Sequence, residues 1–294
     1  MLRTGKHHMD LKILADRERF PETVLRKLGQ NPVDFAERMT FIQSSRETSE
    51  PCSAAGVLLL LHFRREHPDT VDSPGNFCFQ LIKRSASVPQ PGDLSCPGGM
   101  LHPRLDGLLR PLLTAGIVPA LQSYSKSFAG TEDENTRKVV TLFLTNAIRE
   151  SWEEIRLSPF NIRFLGPLPC HSLVLFRRTI FPLVGLVKKA SPYRPNREVE
   201  RVLEIPLKSF FQAENYAQYL IDMSDSLRRE DRDSWQFPCF LHREDGREPE
   251  ILWGATFHII LRFLEIVFAF RMPDVQSGPV LRRTLHQTYL TGHK

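Results

Sequence analysis

Arg149-Glu150-Ser151-Trp152-Glu153-Glu154 decides how this chain is read. It closes a run in which Thr136, Val139, Val140, Phe143, Leu144, Ala147 and Ile148 recur at helical spacing and continue through Trp152 and Ile155, until Pro159 ends the pattern. On such a helix Glu150, Glu153 and Glu154 project from one face, within reach of a single ion. Hard oxygen ligands of this kind select magnesium or manganese. Arg149 lies beside them and can orient a glutamate. A solvated acidic helix face is the plain alternative for the same residues.

Working outward, the next informative stretch is the Pro97-Gly98-Gly99 turn, preceded by Gly92-Asp93-Leu94-Ser95-Cys96. Adjacent glycines allow positive φ and let a backbone carbonyl approach a metal or phosphate closely. Taken alone, the segment is only a turn. Residues 54–61 and 77–82 read as neighbouring strands joined by a turn region at 67–75. Residues 10–43 read as two short helices, with Pro21 in a first turn. Residues 89–103 are loop, and 105–135 are irregular, with Gly107, Pro111, Gly116, Pro119 and Gly130 interrupting any period. Downstream, 163–165, 173–176, 179–187 and 199–205 read as strands, and 211–232 as helical or irregular. Residues 254–270 form a final amphipathic helix whose Phe257, Ile260, Leu261, Leu264 and Phe268 face a core. Helices interleaved with strands imply an α/β or α+β layered domain.

Composition narrows the class. A chain of 294 residues with 41% hydrophobic and 25% charged residues buries one large core or two modest ones. Its 39 basic and 34 acidic residues are interspersed, giving a net charge of +5. No aromatic-basic motif accompanies them, so nucleic acid is not the expected partner. A mildly basic surface suits a small anionic substrate as well as plain solvation. The five cysteines contain no C-x-x-C pair and are odd in number, which favours neither a disulfide framework nor a thiolate zinc site. A cytoplasmic location is the natural expectation. Residues 1–10 lack an apolar stretch, and neither 54–61 nor 254–270 can span a bilayer, so no membrane partner is expected. His7 and His8 read as tail.

Taken together, the glycine turn and the acidic helix resemble the signature of the Nudix hydrolase family, G-x5-E-x7-R-E-U-x-E-E-x-G-U, with U a bulky apolar residue. Gly99 matches the opening glycine, Arg149-Glu150 the R-E pair, Glu153-Glu154 the E-E pair and Leu157 the closing apolar position. Gly99 and Arg149 are 50 positions apart (149 − 99) where the signature spans 14, so about 36 residues are inserted. Counted back from Arg149, Thr141 stands where the signature has its first glutamate; Ser151 replaces an apolar residue and Arg156 a glycine.

The flanking segments 164–169, 181–185, 198–200 followed by 205–207, and 251–256 resemble, in that order, the coenzyme A pyrophosphatases of that family. Lys83-Arg84-Ser85 and the 92–99 stretch resemble their upstream coenzyme A motif. Between the serine and the glycine, however, this chain has Ala86-Ser87-Val88-Pro89-Gln90-Pro91 instead of basic residues.

The resemblance implies an α/β/α sandwich around a mixed sheet, with a helical N-terminal extension at 1–50, the hydrolase domain at 51–270, an insertion at 105–135 and a C-terminal tail at 271–294. It implies Mg2+ or Mn2+ held by Glu150, Glu153, Glu154 and the Gly98 carbonyl. Arg149 belongs to the same catalytic group, with Lys83, Arg84 and Gly99 binding a small-molecule diphosphate such as coenzyme A. Glu198 or Glu200 could add a base or outer ligand. The insertion fits a lid, an inert loop or the contact of a homodimer.

Overall fold

An apolar run without polar alternation belongs in a strand covered on both faces. Residues 54–61 occupy that position, in the middle of β1 (Ser53–Arg65) of the computed structural model. The structure describes residues 11–65, 74–128, 133–173, 177–223, 234–276, 278–286 and 289. Before β1 come a short 3-10 turn at Leu11–Ala15 and helices α1 (Arg19–Gly29) and α2 (Phe35–Ser45). After it come β2 (Gly75–Arg84), β3 (Leu94–Ser95), β4 (Gly98–Met100), α3 (Pro103–Thr114), α4 (Gln122–Phe128) and α5 (Glu134–Ile155). The chain continues through β5 (Ile162–Pro167), β6 (His171–Leu173), β7 (Arg178–Val187), β8 (Val199–Pro206), β9 (Tyr216–Met223), β10 (Ser234–His242) and β11 (Glu250–Leu252), then α6 (Gly254–Phe268) and β12 (Val280–Leu285).

The first sheet is mixed. β1 pairs antiparallel with β2, Leu60 opposite Gln80, and parallel with β7, Ala54 beside Thr179. β3 and β8 pair with β2, β5 and β6 with β7, and β4 with the start of β1. Helices cover both faces. Phe181 of β7 stacks on Phe143 of α5 at 3.7 Å between centroids, with Phe35 of α2 edge-on. On the other face Phe79 of β2 meets Phe263 of α6, and Phe20 of α1 packs on Phe77 and Phe268. The expected α/β architecture, with helices at the N-terminal end, is therefore found. A second sheet, in the order β11-β10-β9-β12, stands beside it over its own small core of Ala217, Tyr219, Ile221, Cys239, Leu241, Leu285 and Tyr289.

Several sequence expectations need correction. Of the stretch 105–135, expected to be irregular, the described residues are largely helical: α3 runs through Pro111, and α4 follows, docking Tyr124 on Phe164, while 129–132 lie outside the described residues. Pro103 sits in the first turn of α3, where a missing N–H costs nothing, but Gly107 and Pro111 masked the helical period. Part of 89–103 is strand, because the glycine bend pairs with β1. Residues 216–223 form β9, where polar Gln218 is buried and hides the alternation of a strand. β10 and β11 were not foreseen. The segment read as a tail holds β12, parallel to β9. The strand expected at 173–176 is β6, ending at Leu173; residues 174–176, 224–233, 1–10 with His7 and His8, and most of the 67–75 turn lie outside the described residues. Among the described residues no helix is long and apolar enough to cross a membrane.

Candidate functional site

The glycine bend and the acidic helix meet. β4 runs back along β1, placing Gly98 opposite Val57 and Gly99 opposite Gly56. Gly98 has φ +150°, and a Cβ there would lie 2.3 Å from the Gly56 carbonyl oxygen, so no larger residue fits. A Cβ on Gly99 would lie 2.6 Å from the carboxyl carbon of Glu150. The closeness of bend to helix is thus built on glycine. Asn146, buried within α5, ties the three elements together: its Oδ1 accepts from the Gly56 N–H at 2.9 Å and its Nδ2 donates to the Met100 carbonyl at 3.0 Å.

Glu154 is 5% exposed, and its Oε2 accepts from the Gly98 N–H at 2.9 Å. Burial pushes its pKa up to about 8, opposed by the Gly98 N–H and the Arg84 charge and reinforced by Glu150 and Glu198. Burial also raises the pKa of Glu150, against the pull of Arg149. Two carboxylates that repel each other at a backbone bend form a natural seat for a cation. Glu153 does not join them. Its side chain is 49% exposed and accepts from Arg149 Nη1 at 3.1 Å. Among the described residues no three His, Cys, Asp or Glu side chains form a ligand cluster. Two of the three expected carboxylates therefore converge on the bend and the third is turned outward.

Arg149 reaches Glu150 at 2.9 Å and is itself gripped from α3, where Asp106, fully buried, accepts from its Nε at 2.7 Å. Burial works against the Arg149 charge, but Asp106 and Glu150 hold its pKa above the ordinary arginine value. Asp106 Oδ2 also accepts from the His102 N–H at 2.7 Å and from Asn146 Nδ2 at 3.2 Å. Neither Asp106 nor Asn146 was foreseen. Counted forward from Gly99, the first signature glutamate falls at Leu105, one place from Asp106; counted back from Arg149, it falls at Thr141, whose hydroxyl merely donates to the Lys138 carbonyl at 3.0 Å. Counting forward was the available signal.

The basic pair separates. Arg84 stands close enough to Glu154 to lower its pKa, whereas Lys83 is bound to Glu250 at 2.9 Å and Glu200 at 3.2 Å, away from the carboxylates. Successive residues of a strand point to opposite faces, and this alternation divides them. Glu198 acts on Glu154, whereas Glu200 pairs with Lys83. Arg178, at the start of β7, is half-buried near Arg84, and its Nε has no hydrogen-bond partner among the described residues.

No family model matches the chain. It is 30% identical over 135 residues to an uncharacterized Nudix hydrolase, NudL, of Pectobacterium atrosepticum, covering 45% of this chain and 60% of that protein. It is 28% identical over 146 residues to the chloroplastic Nudix hydrolase 22 of Arabidopsis thaliana, covering 46% and 43%. Both relatives carry the name of the family whose signature the glycine bend and the acidic helix resemble. The matched region spans less than two thirds of either relative. Among solved structures, the chain overlays a MutT/nudix family protein of Enterococcus faecalis over 80% of this chain and 72% of that one, at 14% identity and a TM-score of 0.39. It overlays the NUDIX domain of Shewanella oneidensis NrtR, crystallised with ADP ribose, over 60% and 86%, at 14% identity and a TM-score of 0.31. Neither overlay is close enough to bear on fold or function.

Of the Nudix signature positions, the glycine after the helix is Arg156 here, yet its backbone is left-handed with φ 58°, and the guanidinium lies 5.5 Å from the Trp152 ring centre. The helix end thus keeps the conformation that a glycine would adopt there.

Proposed function

We propose that this protein is a divalent-metal-dependent pyrophosphatase that cleaves the diphosphate of coenzyme A or its thioesters, giving 3′,5′-ADP and 4′-phosphopantetheine or its acyl form. The observation that carries this reading is the seating of Glu154 on the Gly98 N–H, with Glu150 against Gly99 and Arg84 alongside. Two carboxylates and a backbone bend leave most of a coordination sphere to water and substrate oxygens, which is the usual way magnesium is held. Mg2+ or Mn2+ in that seat would neutralise the diphosphate and lower the pKa of a bound water. Glu150 and Glu154 would hold the ion. The Gly98 N–H fixes one Glu154 oxygen, and Arg149, clamped by Asp106, keeps Glu150 in place. Arg84 supplies positive charge for the substrate's phosphates. Glu198 stands beside Glu154 as a candidate proton acceptor.

One observation favours a second substrate within the same chemistry. Lys83, expected to bind the 3′-phosphate of coenzyme A, is engaged by Glu250 and Glu200 instead. Of the pair expected to hold the extra phosphate, that leaves Arg84, which favours ADP-ribose or a dinucleotide as the second substrate. A catalytically silent fold is less well supported, since Asp106 stands in for the missing glutamate and Arg156 for the missing glycine. Mass spectrometry of the products formed from coenzyme A, ADP-ribose and dinucleotides with magnesium decides among these readings. Wild-type protein should split a diphosphate, and Glu154→Gln should lose nearly all turnover while remaining folded. Undiminished turnover by that variant would overturn the assignment.

A further inference from the structure

Asp93 precedes the Gly98 bend by five residues (98 − 93) and takes no part in the acidic centre. Its largely buried carboxylate collects donors from distant parts of the C-terminal half: Trp253 Nε1 at 3.3 Å, Arg283 Nη1 at 3.3 Å and the Tyr289 hydroxyl. The same residues grip the backbone around it. Arg283 Nη2 donates to the Pro91 carbonyl at 3.1 Å, and the Gln90 N–H donates to the Tyr289 carbonyl at 2.7 Å. Arg283 also lies 5.4 Å from the centre of the Tyr289 ring.

On its other side this loop is fastened to Arg84. The Arg84 N–H donates to the Asp93 carbonyl at 3.0 Å, the Gly92 N–H to the Arg84 carbonyl at 2.9 Å, and Arg84 Nε to the Pro89 carbonyl at 2.8 Å. The loop contains no charge of its own between Ser85 and Asp93. Asp93 is therefore the charged side chain at the end of an uncharged loop, and hydrogen bonds to a buried carboxylate are among the stronger ones. We propose that β12 and Tyr289 form a latch that, through Asp93, positions Arg84 beside the acidic centre. Asp93, Arg283 and Tyr289 are then positioning residues for binding an anionic diphosphate. This rests on the pyrophosphatase reading for its consequence, though not for its geometry.

Tyr289→Phe and Asp93→Asn test it, with amide hydrogen exchange and steady-state kinetics measured on the full chain. Losing a hydrogen bond to a charged group should speed exchange across residues 84–93 about tenfold and raise KM by about as much. Exchange in α5 and kcat should stay within about twofold, because Glu150 and Glu154 are untouched. Unchanged exchange at 84–93 in both variants, an equal rise in α5, or a loosened loop with unmoved KM would each overturn the latch. If the wild type splits no diphosphate, the pyrophosphatase reading fails, and the exchange result alone decides whether the latch exists.

Discussion

Removing the Glu154 carboxylate from water pushes its pKa to about 8 from an ordinary 4.5. The folded protein therefore holds this proton more tightly than the unfolded chain. Ionising Glu154 costs nothing extra below pH 4.5; the cost grows as pH rises toward 8 and levels off above it. Over that window the metal-free protein should lose about 1.4 kcal/mol of stability per pH unit from this group alone. Denaturant unfolding in chelator at several values between pH 5 and pH 8 measures the slope. Glu154→Gln, which cannot ionise, should be markedly flatter; identical slopes would show that Glu154 is not the group responsible.

Helix α5 shows how far local rules carry and where they stop. Its span and its acidic face follow from spacing within a single element, and the turn of Gly98 and Gly99 follows from composition, so both were legible. The direction of Glu153 was not, because either side-chain orientation is allowed at an exposed position and only the Arg149 guanidinium selects one. Asp106 was hidden for another reason: its partner Arg149 is 43 positions away, and the intervening α3 is built from a stretch punctuated by Gly107 and Pro111. The clamp between α3 and α5 has a measurable weight. Removing one partner of a buried ion pair strands the other charge, so Asp106→Ala should cost about 3 kcal/mol in denaturant unfolding. It should also lower kcat, since Glu150 loses the arginine that orients it. A cost under about 1 kcal/mol would mean that Arg149 finds water instead and that the clamp is a surface pair in energetic terms.

Across the whole molecule, the strand alternation that separates Lys83 from Arg84 separates two kinds of charge cluster. On one side, Lys83 and Arg201 share Glu250 at 2.9 Å each, and Arg201 also holds Glu244 at 2.7 Å; those charges are matched among themselves and tie the first sheet to β11. On the other side, Glu150 and Glu198 both add negative charge at Glu154 and raise its proton affinity, and burial raises that of Glu150. Only the second cluster gains from an added cation. An ion that binds the folded chain alone stabilises it by mass action, about 2.7 kcal/mol at a hundred times Kd, which for a chain of 294 residues is a rise in Tm of roughly 4 °C. The rise should be larger at pH 8 than at pH 6, because binding must first displace the Glu154 proton. Thermal melts with and without magnesium read it directly. Glu154→Gln should lose most of the shift, while Lys83→Ala, on the opposite face, should keep it; equal shifts in wild type and Glu154→Gln would place the ion somewhere other than the glycine bend.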